Sequence, residues 1–300
     1  VLSGGAPEHL VVNLAAQMAR APYAPVSANY SLAGGDFARL RHCAGVCQPR
    51  LVYADDWRTF LPAMRALREE RDLILVTDEA APDGETLALS DLLKTAPTPD
   101  VDASLAAITP DTHAKTLYTS GSTGKPKGVM ISHKNLVANT ESIVEYLQLT
   151  EDDRMLVVLP FYYCYGLSLL HTHLRAGGSI VFYNSFIFLG GVLKALLDYK
   201  CTGFAGVPSH FQILLRKSDS FKQTRFPDLK YVTQAGGKLA PIFIDEFREA
   251  HPETRFVVMY GQTEATARLS WLPPEVYDQR KGSMGRGIPG VELRVVNENG

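Results

Sequence analysis

The chemistry of this chain concentrates in eleven residues, Tyr118-Thr119-Ser120-Gly121-Ser122-Thr123-Gly124-Lys125-Pro126-Lys127-Gly128. Three glycines, four Ser/Thr hydroxyls and two lysines follow a short apolar stretch there. Glycine lets the backbone take φ > 0 and bring its N–H groups close to an anion. Hydroxyls donate to phosphate oxygens, and lysines add charge. The run is a candidate phosphate-holding loop. It is not the P-loop of NTPases, G-x-x-x-x-G-K-[ST]. Only two residues separate Gly121 from Gly124, and Pro126 follows Lys125 where a Mg²⁺-binding hydroxyl should stand. Proline also disfavours helical geometry at Lys125, so the loop is expected to return into a strand, Gly128–Ile131.

Further polar groups sit where apolar runs end. The strand-like Phe256–Tyr260 stops at Gly261-Gln262-Thr263-Glu264, a turn with a hydroxyl and a carboxylate. A carboxylate there is of the kind that can share Mg²⁺ with phosphate oxygens. Taken alone, a solvated loop carboxylate would explain it as well. Gln234-Ala235-Gly236-Gly237-Lys238 follows another apolar run; small residues let the backbone itself pack on a ligand, although a Gly-Gly turn needs none. Phe161-Tyr162-Tyr163-Cys164-Tyr165 is aromatic throughout its length apart from one thiol, and Val207-Pro208-Ser209-His210 closes a further run. Taken alone, His210 reads as a capping or core histidine. His171 and His173, two apart on a helix, face different ways and are expected to be structural.

Positioning these groups falls to elements that alternate almost throughout, apolar strand-like runs with amphipathic helical ones, which argues for an α/β fold with largely parallel sheet. Pro7 opens a helix with Leu10, Val11, Leu14 and Met18 on one face. Strands are expected at 51–54, 73–77, 116–119, 129–132, 155–159, 179–183, 203–207, 231–234 and 256–260. Helices are expected at 57–70, 134–147, 167–175, 191–199, 209–217 and 241–250. Residues 80–110, rich in Pro, Asp, Thr and Ala, read as a connector. The organisation expected is two packed subdomains, 1–100 and 101–280, with the start of a small β region over 281–300. The segments 120–128, 160–166, 235–238 and 261–264 all follow strands, and ligand loops in such sheets lie at carboxyl ends.

Composition bounds the partners. A chain of 300 residues with 46% hydrophobic content can bury a large core. Thirty basic residues against thirty-two acidic ones leave a net charge of −2, so affinity for a polyanion must be local, and neither nucleic acid nor an anionic membrane is indicated. No apolar run approaches the ~20 residues of a membrane span. Cys43, Cys47, Cys164 and Cys201 are too few and scattered for a disulfide framework, and His42 with Cys43 and Cys47 matches no zinc template. A cytoplasmic location is expected, and a homodimer is compatible.

The glycine run resembles the signature loop of the adenylate-forming (ANL) superfamily, the AMP-binding acyl- and aryl-CoA synthetases, luciferases and peptide-synthetase adenylation domains. Tyr260-Gly261-Gln262-Thr263-Glu264 is similar to the family's Y-G-x-T-E element, and Gly282-Ser283-Met284-Gly285-Arg286-Gly287-Ile288-Pro289-Gly290 to its G-S-x-G-x-x-x-P-G turn. In order, the matches span Val1 to Gly300. The resemblance implies the large domain of that fold, ATP and Mg²⁺ as cofactors and CoA as co-substrate. The implied reaction is attack of a carboxylate on ATP to give an acyl-adenylate and pyrophosphate, then thioester formation. It implies catalytic roles for Thr119, Lys127, Thr263 and Glu264, with Glu264 binding Mg²⁺. It implies nucleotide contacts from Thr119, Ser120, Gly121, Ser122, Thr123, Gly124, Lys125 and Lys127, and from Ala235, Gly236, Gly237, Met259, Tyr260, Gly261, Gln262 and Thr263. Tyr260 would stack on adenine. The carboxylate substrate would meet Tyr163, Cys164, Tyr165, Val207, His210 and Gly237. Tyr163 stands where many acyl-CoA synthetases carry a gating histidine. Amino-acid-activating relatives place an aspartate nearby; none stands beside Tyr163, and a buried ammonium without a counter-charge is costly.

Family members continue beyond Val291–Gly300 with a T-G-D element, a hinge and a mobile domain carrying a catalytic lysine. The expectation is a core fragment of a longer enzyme, with turnover impaired. The segment Ala24–Leu32, with Leu40-Arg41-His42 and Pro49–Asp55, looks similar to feruloyl-CoA synthetases, while 161–174 looks more like generic acyl-CoA ligases. Aryl and fatty acids both stay open, with three neighbouring tyrosines tilting towards an aromatic acid. The alternatives are an adenylation module loading a carrier protein and a nucleotide-binding relative without catalysis.

Overall fold

The computed structural model describes residues 1–3, 5–32, 35–119 and 124–297. By internal contacts the chain divides into two compact units, Val1–Leu136 with Phe161–Tyr163, and Val137–Pro160 with Cys164–Gly300. The units are mixed α/β, with parallel sheets flanked by helices.

The first unit opens with α1 (Pro7–Met18), α2 (Asn29–Leu32) and α3 (Ala38–Cys47). Proline at the first helical position of α1 costs no hydrogen bond. Its buried stripe differs from the one the apolar spacing suggests. Val11, Leu14 and Met18 are 38–42% exposed, whereas His9 and Asn13 are buried. Bonds offset part of the cost of burying this polar stripe: His9 contacts the Ser3 hydroxyl and the Tyr23 hydroxyl, and Gln17 donates to Asn13 Oδ1. β1 (Leu51–Ala54), α4 (Trp57–Arg68) and β2 (Ile74–Thr77) fall where expected, and β3 (Leu87–Ala88) completes a parallel three-stranded sheet in the order β1-β2-β3. Asp56 caps α4 by accepting the Arg58 N–H, and the helix buries Phe60, Met64 and Leu67 against Val52 and Leu75. The stretch read as a connector carries β3 and two short helices, α5 (Leu89–Leu92) and α6 (Pro99–Ala106), the latter with no buried residue. β4 (His113–Thr119) and β5 (Lys127–Ser132) then form an antiparallel pair.

The second unit holds most of α7 (His133–Leu147), followed by β6 (Arg154–Val157), α8 (Cys164–Ala176), β7 (Ser179–Phe182), α9 (Leu189–Asp198), β8 (Gly203–Gly206) and α10 (Pro208–Lys217). Next come α11 (Asp219–Gln223), β9 (Tyr231–Gln234), α12 (Pro241–Ala250), β10 (Arg255–Tyr260), β11 (Ser270–Leu272) and β12 (Arg286–Gly287). Its seven-stranded sheet runs β12-β11-β10-β9-β8-β6-β7. The five strands from β10 to β7 are mutually parallel, and β11 and β12 add antiparallel pairings at one side. Phe204, Phe211, Phe247 and Phe256 lie in the buried core of the unit, with ring centroids of successive pairs 5.0–6.1 Å apart. Beyond β12, residues 291–297 are without regular strand, and Val295 and Val296 are exposed. Among the described residues no helix is long and apolar enough to cross a membrane.

Candidate functional site

Four sequence-predicted segments follow β6, β8, β9 and β10, which are neighbours in one sheet and run the same way. Their carboxyl ends therefore line one edge in the order β10, β9, β8, β6. Right-handed parallel strands bring ligand loops to such an edge. At the end of β10, Tyr260 is 40% exposed and Thr263-Glu264-Ala265 forms one turn of 3₁₀ helix. The Thr263 hydroxyl donates to Cys164 Sγ at 3.6 Å, tying the β10 turn to the first residue of α8. Glu264 is exposed and makes no hydrogen bond or ion pair among the described residues.

Backbone freedom at this edge is used rather than incidental. Gly236 has φ +82°, a conformation that a side chain would strain, and a Cβ there would stand 3.0 Å from Val207 Cγ1. Gln234 braces this turn by donating to the carbonyls of Ala235 (3.2 Å) and Gly237 (2.8 Å). Gly261 tolerates nothing larger: its Cβ would lie 1.7 Å from the Ala267 carbonyl oxygen.

At the end of β8 the Val207 N–H donates to His210 Nδ1 at 3.3 Å, which leaves the proton of the neutral ring on Nε2. The ring sits 4.2 Å from Phe186, and desolvation lowers its pKa to about 4. His210 is accordingly neutral at physiological pH, a hydrogen-bonding group without charge.

Tyr165 is buried within the unit. Its hydroxyl bonds the carbonyl (2.9 Å) and hydroxyl (2.8 Å) of Thr233 in β9, and burial pushes its phenol pKa upward. The Arg268 guanidinium covers the ring at 4.3 Å. Met259 is likewise interior, its sulfur accepting from Tyr146 at 2.9 Å and from Arg268 Nε at 3.3 Å. Arg268 and Tyr146 carried no motif signal. A lone arginine in the otherwise apolar Ala267–Leu269 run, just after Glu264, was the available hint.

In the first unit, Ser120, Gly121, Ser122 and Thr123 lie outside the described residues. Their flanks are defined: Thr119 of β4 pairs with Lys127 of β5, Gly124 takes φ +78°, and Lys125 and Lys127 are exposed. Pro126 is buried, and its carbonyl meets His42 Nε2 at 2.8 Å. The loop thus closes an antiparallel hairpin instead of following a strand of a parallel sheet. A Cβ at Gly128 would come within 2.9 Å of Thr116 Cγ2, so the hairpin packs tightly at its exit. Tyr163, 56% exposed, lies with its ring centroid 4.7 Å from that of Tyr162, the planes tilted by 55°.

The donor set suits Mg²⁺ in one respect. Among the described residues no three metal-ligating side chains cluster, and a lone accessible carboxylate is what an ion shared with phosphate oxygens and water requires.

Comparison with known proteins agrees with this geometry. The family model described as AMP-binding enzyme matches residues 1–300. The oxalate–CoA ligase of Arabidopsis thaliana is 32% identical over 194 residues, covering 64% of this chain and 37% of its own length. The indoleacetate–CoA ligase of Aromatoleum aromaticum is 27% identical over 302 residues, covering all of this chain and 56% of its own. Thus the chain spans about a third of the first of these relatives and just over half of the second. Among solved structures, the o-succinylbenzoate CoA synthetase of Bacillus subtilis in complex with its acyl-adenylate intermediate superposes with a TM-score of 0.77 at 19% identity. That match covers 100% of this chain and 70% of the other, and shows the fold. With a family model matched along its full length, this chain belongs to the AMP-binding enzymes.

Proposed function

We propose that this chain supplies the ATP- and carboxylate-binding region of an AMP-forming acid–thiol ligase. The observation that carries the reading is the contiguous placement of the turns after β10, β9, β8 and β6 on one sheet edge, with Thr263 joined to Cys164. In this reading Tyr260 stacks on adenine along the Ala235–Gly237 turn, with Met259 behind it and Gln262 beside it. Phosphate contacts are assigned to Thr263 and, separately in the first unit, to Thr119, Ser120, Gly121, Ser122, Thr123, Gly124, Lys125 and Lys127. Gly261 lets the turn close.

A carboxylate oxygen attacks the α-phosphorus in line. The bond to the bridging oxygen breaks and pyrophosphate leaves, giving the acyl-adenylate. The CoA thiol, as its thiolate, then attacks the acyl carbon and AMP departs. Held by Glu264, Mg²⁺ would offset the charge that develops on the leaving pyrophosphate. Removing one positioned charge from such a site commonly costs ~10²–10³ in rate.

Contacts to the acid are assigned to Cys164, Tyr165, Val207, His210 and Gly237 of the second unit, and to Tyr163 of the first. Neutral His210 supports an uncharged acyl group, and the tyrosines favour an aromatic one. Free cysteines among the described residues support a cytoplasmic setting. Glu264→Gln tests the metal assignment. ATP affinity measured by calorimetry should lose its dependence on Mg²⁺ while adenosine affinity is retained. Unchanged Mg²⁺ dependence would remove Glu264 from that role.

A further inference from the structure

Directly after the Thr263–Ala265 turn, two consecutive residues that are not glycine take positive φ, Thr266 at 65° and Ala267 at 139°. Such conformations persist only where the surroundings over-determine them, and they gather at functional sites. Here the surroundings are specific. The side-chain amide of Asn139, on α7, grips the next residue at both ends: Nδ2 donates to the Arg268 carbonyl at 2.9 Å, and Oδ1 accepts the Arg268 N–H at 3.4 Å. Arg268, 3% exposed, inserts its guanidinium between three anchors. Nε donates to Met259 Sδ, Nη2 donates to Ser168 Oγ at 3.4 Å, and the plane covers Tyr165. A buried charge is costly unless it is bonded, and no carboxylate pairs with this one among the described residues. The strained Ala267 carbonyl in turn lies over Gly261, and the Leu269 N–H returns to the Tyr260 carbonyl at 2.9 Å.

We propose that Asn139 and Arg268 are positioning residues for adenylation: they clamp the strained 266–267 turn so that Thr263 and Glu264 are presented at the sheet edge. The proposal rests on the adenylation reading above. Arg268 reaches no nucleotide itself; it acts through Met259, Tyr165 and its own backbone.

The test compares ATP·Mg²⁺ and adenosine binding, by calorimetry, for the wild type, Asn139→Ala, Arg268→Met and the double variant Asn139→Ala/Ala267→Gly. Loss of the clamp should weaken ATP·Mg²⁺ about tenfold, the size of a lost hydrogen bond, and leave adenosine unchanged. Glycine adopts φ 139° without strain, so the double variant should regain the ATP·Mg²⁺ affinity. Equal ATP·Mg²⁺ binding by wild type and both single variants would overturn the clamp. So would an equal loss for adenosine and ATP, or no recovery in the double variant. A wild type that binds neither ligand overturns the adenylation reading instead. The clamp is then read from melting temperature, which Asn139→Ala should lower and Ala267→Gly restore; absence of that restoration overturns the clamp independently.

Discussion

His210 shows how a side chain's surroundings set its chemistry. Packed on Phe186 and bonded through Nδ1 to the Val207 N–H, it is held neutral with a pKa of about 4. The sign of its effect on stability follows from linkage. Between about pH 6.5 and about pH 4 the unfolded chain binds a proton that the folded site refuses, so stability is present above this window and is lost as pH falls through it. Desolvation also lowers the pKa of His133, His173 and His251, so acidification acts through several groups. Comparison with His210→Asn isolates one of them. The melting temperature of the wild type should fall on going from pH 7 to pH 4, and more steeply than that of the variant. Parallel curves would show that His210 is not held neutral. At this scale much of the site was legible from the residues. The Tyr260–Glu264 spacing, the Gly236-Gly237 pair and Val207–His210 all sit at strand ends, because hydroxyl, carboxylate and glycine have few reasons to follow apolar runs. Arg268 and Asn139 were not legible, since their roles come from pairings 129 residues apart in the sequence that no local pattern encodes.

At the scale of elements, strand length and position followed from apolar runs, since a strand buried on both faces has no polar alternation to disguise it. β1, β9 and α12 match the expected bounds residue for residue. Where expectation departed from structure, tertiary pairing decided. β11 and β12 are three- and two-residue antiparallel additions, too short to show a period. The α1 helix turns bonded His9 and Asn13 inward and leaves its apolar stripe half exposed, an outcome set by Ser3 and Tyr23 on other segments. The turn after β10 offers a direct test of element-level packing. Gly261→Ala must displace the Ala267 carbonyl, at a cost of about 1–3 kcal/mol from overpacking. The urea midpoint should drop at unchanged slope. A midpoint equal to wild type would mean that the turn is free to move, contrary to the account of how Thr263 and Glu264 are placed.

For the whole molecule, a net charge of −2 leaves no general attraction for a polyanion, so any nucleotide affinity has to be local. Belonging to the AMP-binding enzymes fixes the fold, and in the proposed reading the choice of acid is a matter of local residues such as His210. The measurement that reaches this claim most directly is calorimetric binding of two non-hydrolysable acyl-adenylate mimics, feruloyl-sulfamoyl adenosine and dodecanoyl-sulfamoyl adenosine, against adenosine alone. The account predicts that both nucleotide-bearing mimics bind, the feruloyl compound more tightly than the dodecanoyl one and well above adenosine. Folded protein that binds neither mimic more tightly than adenosine would contradict it.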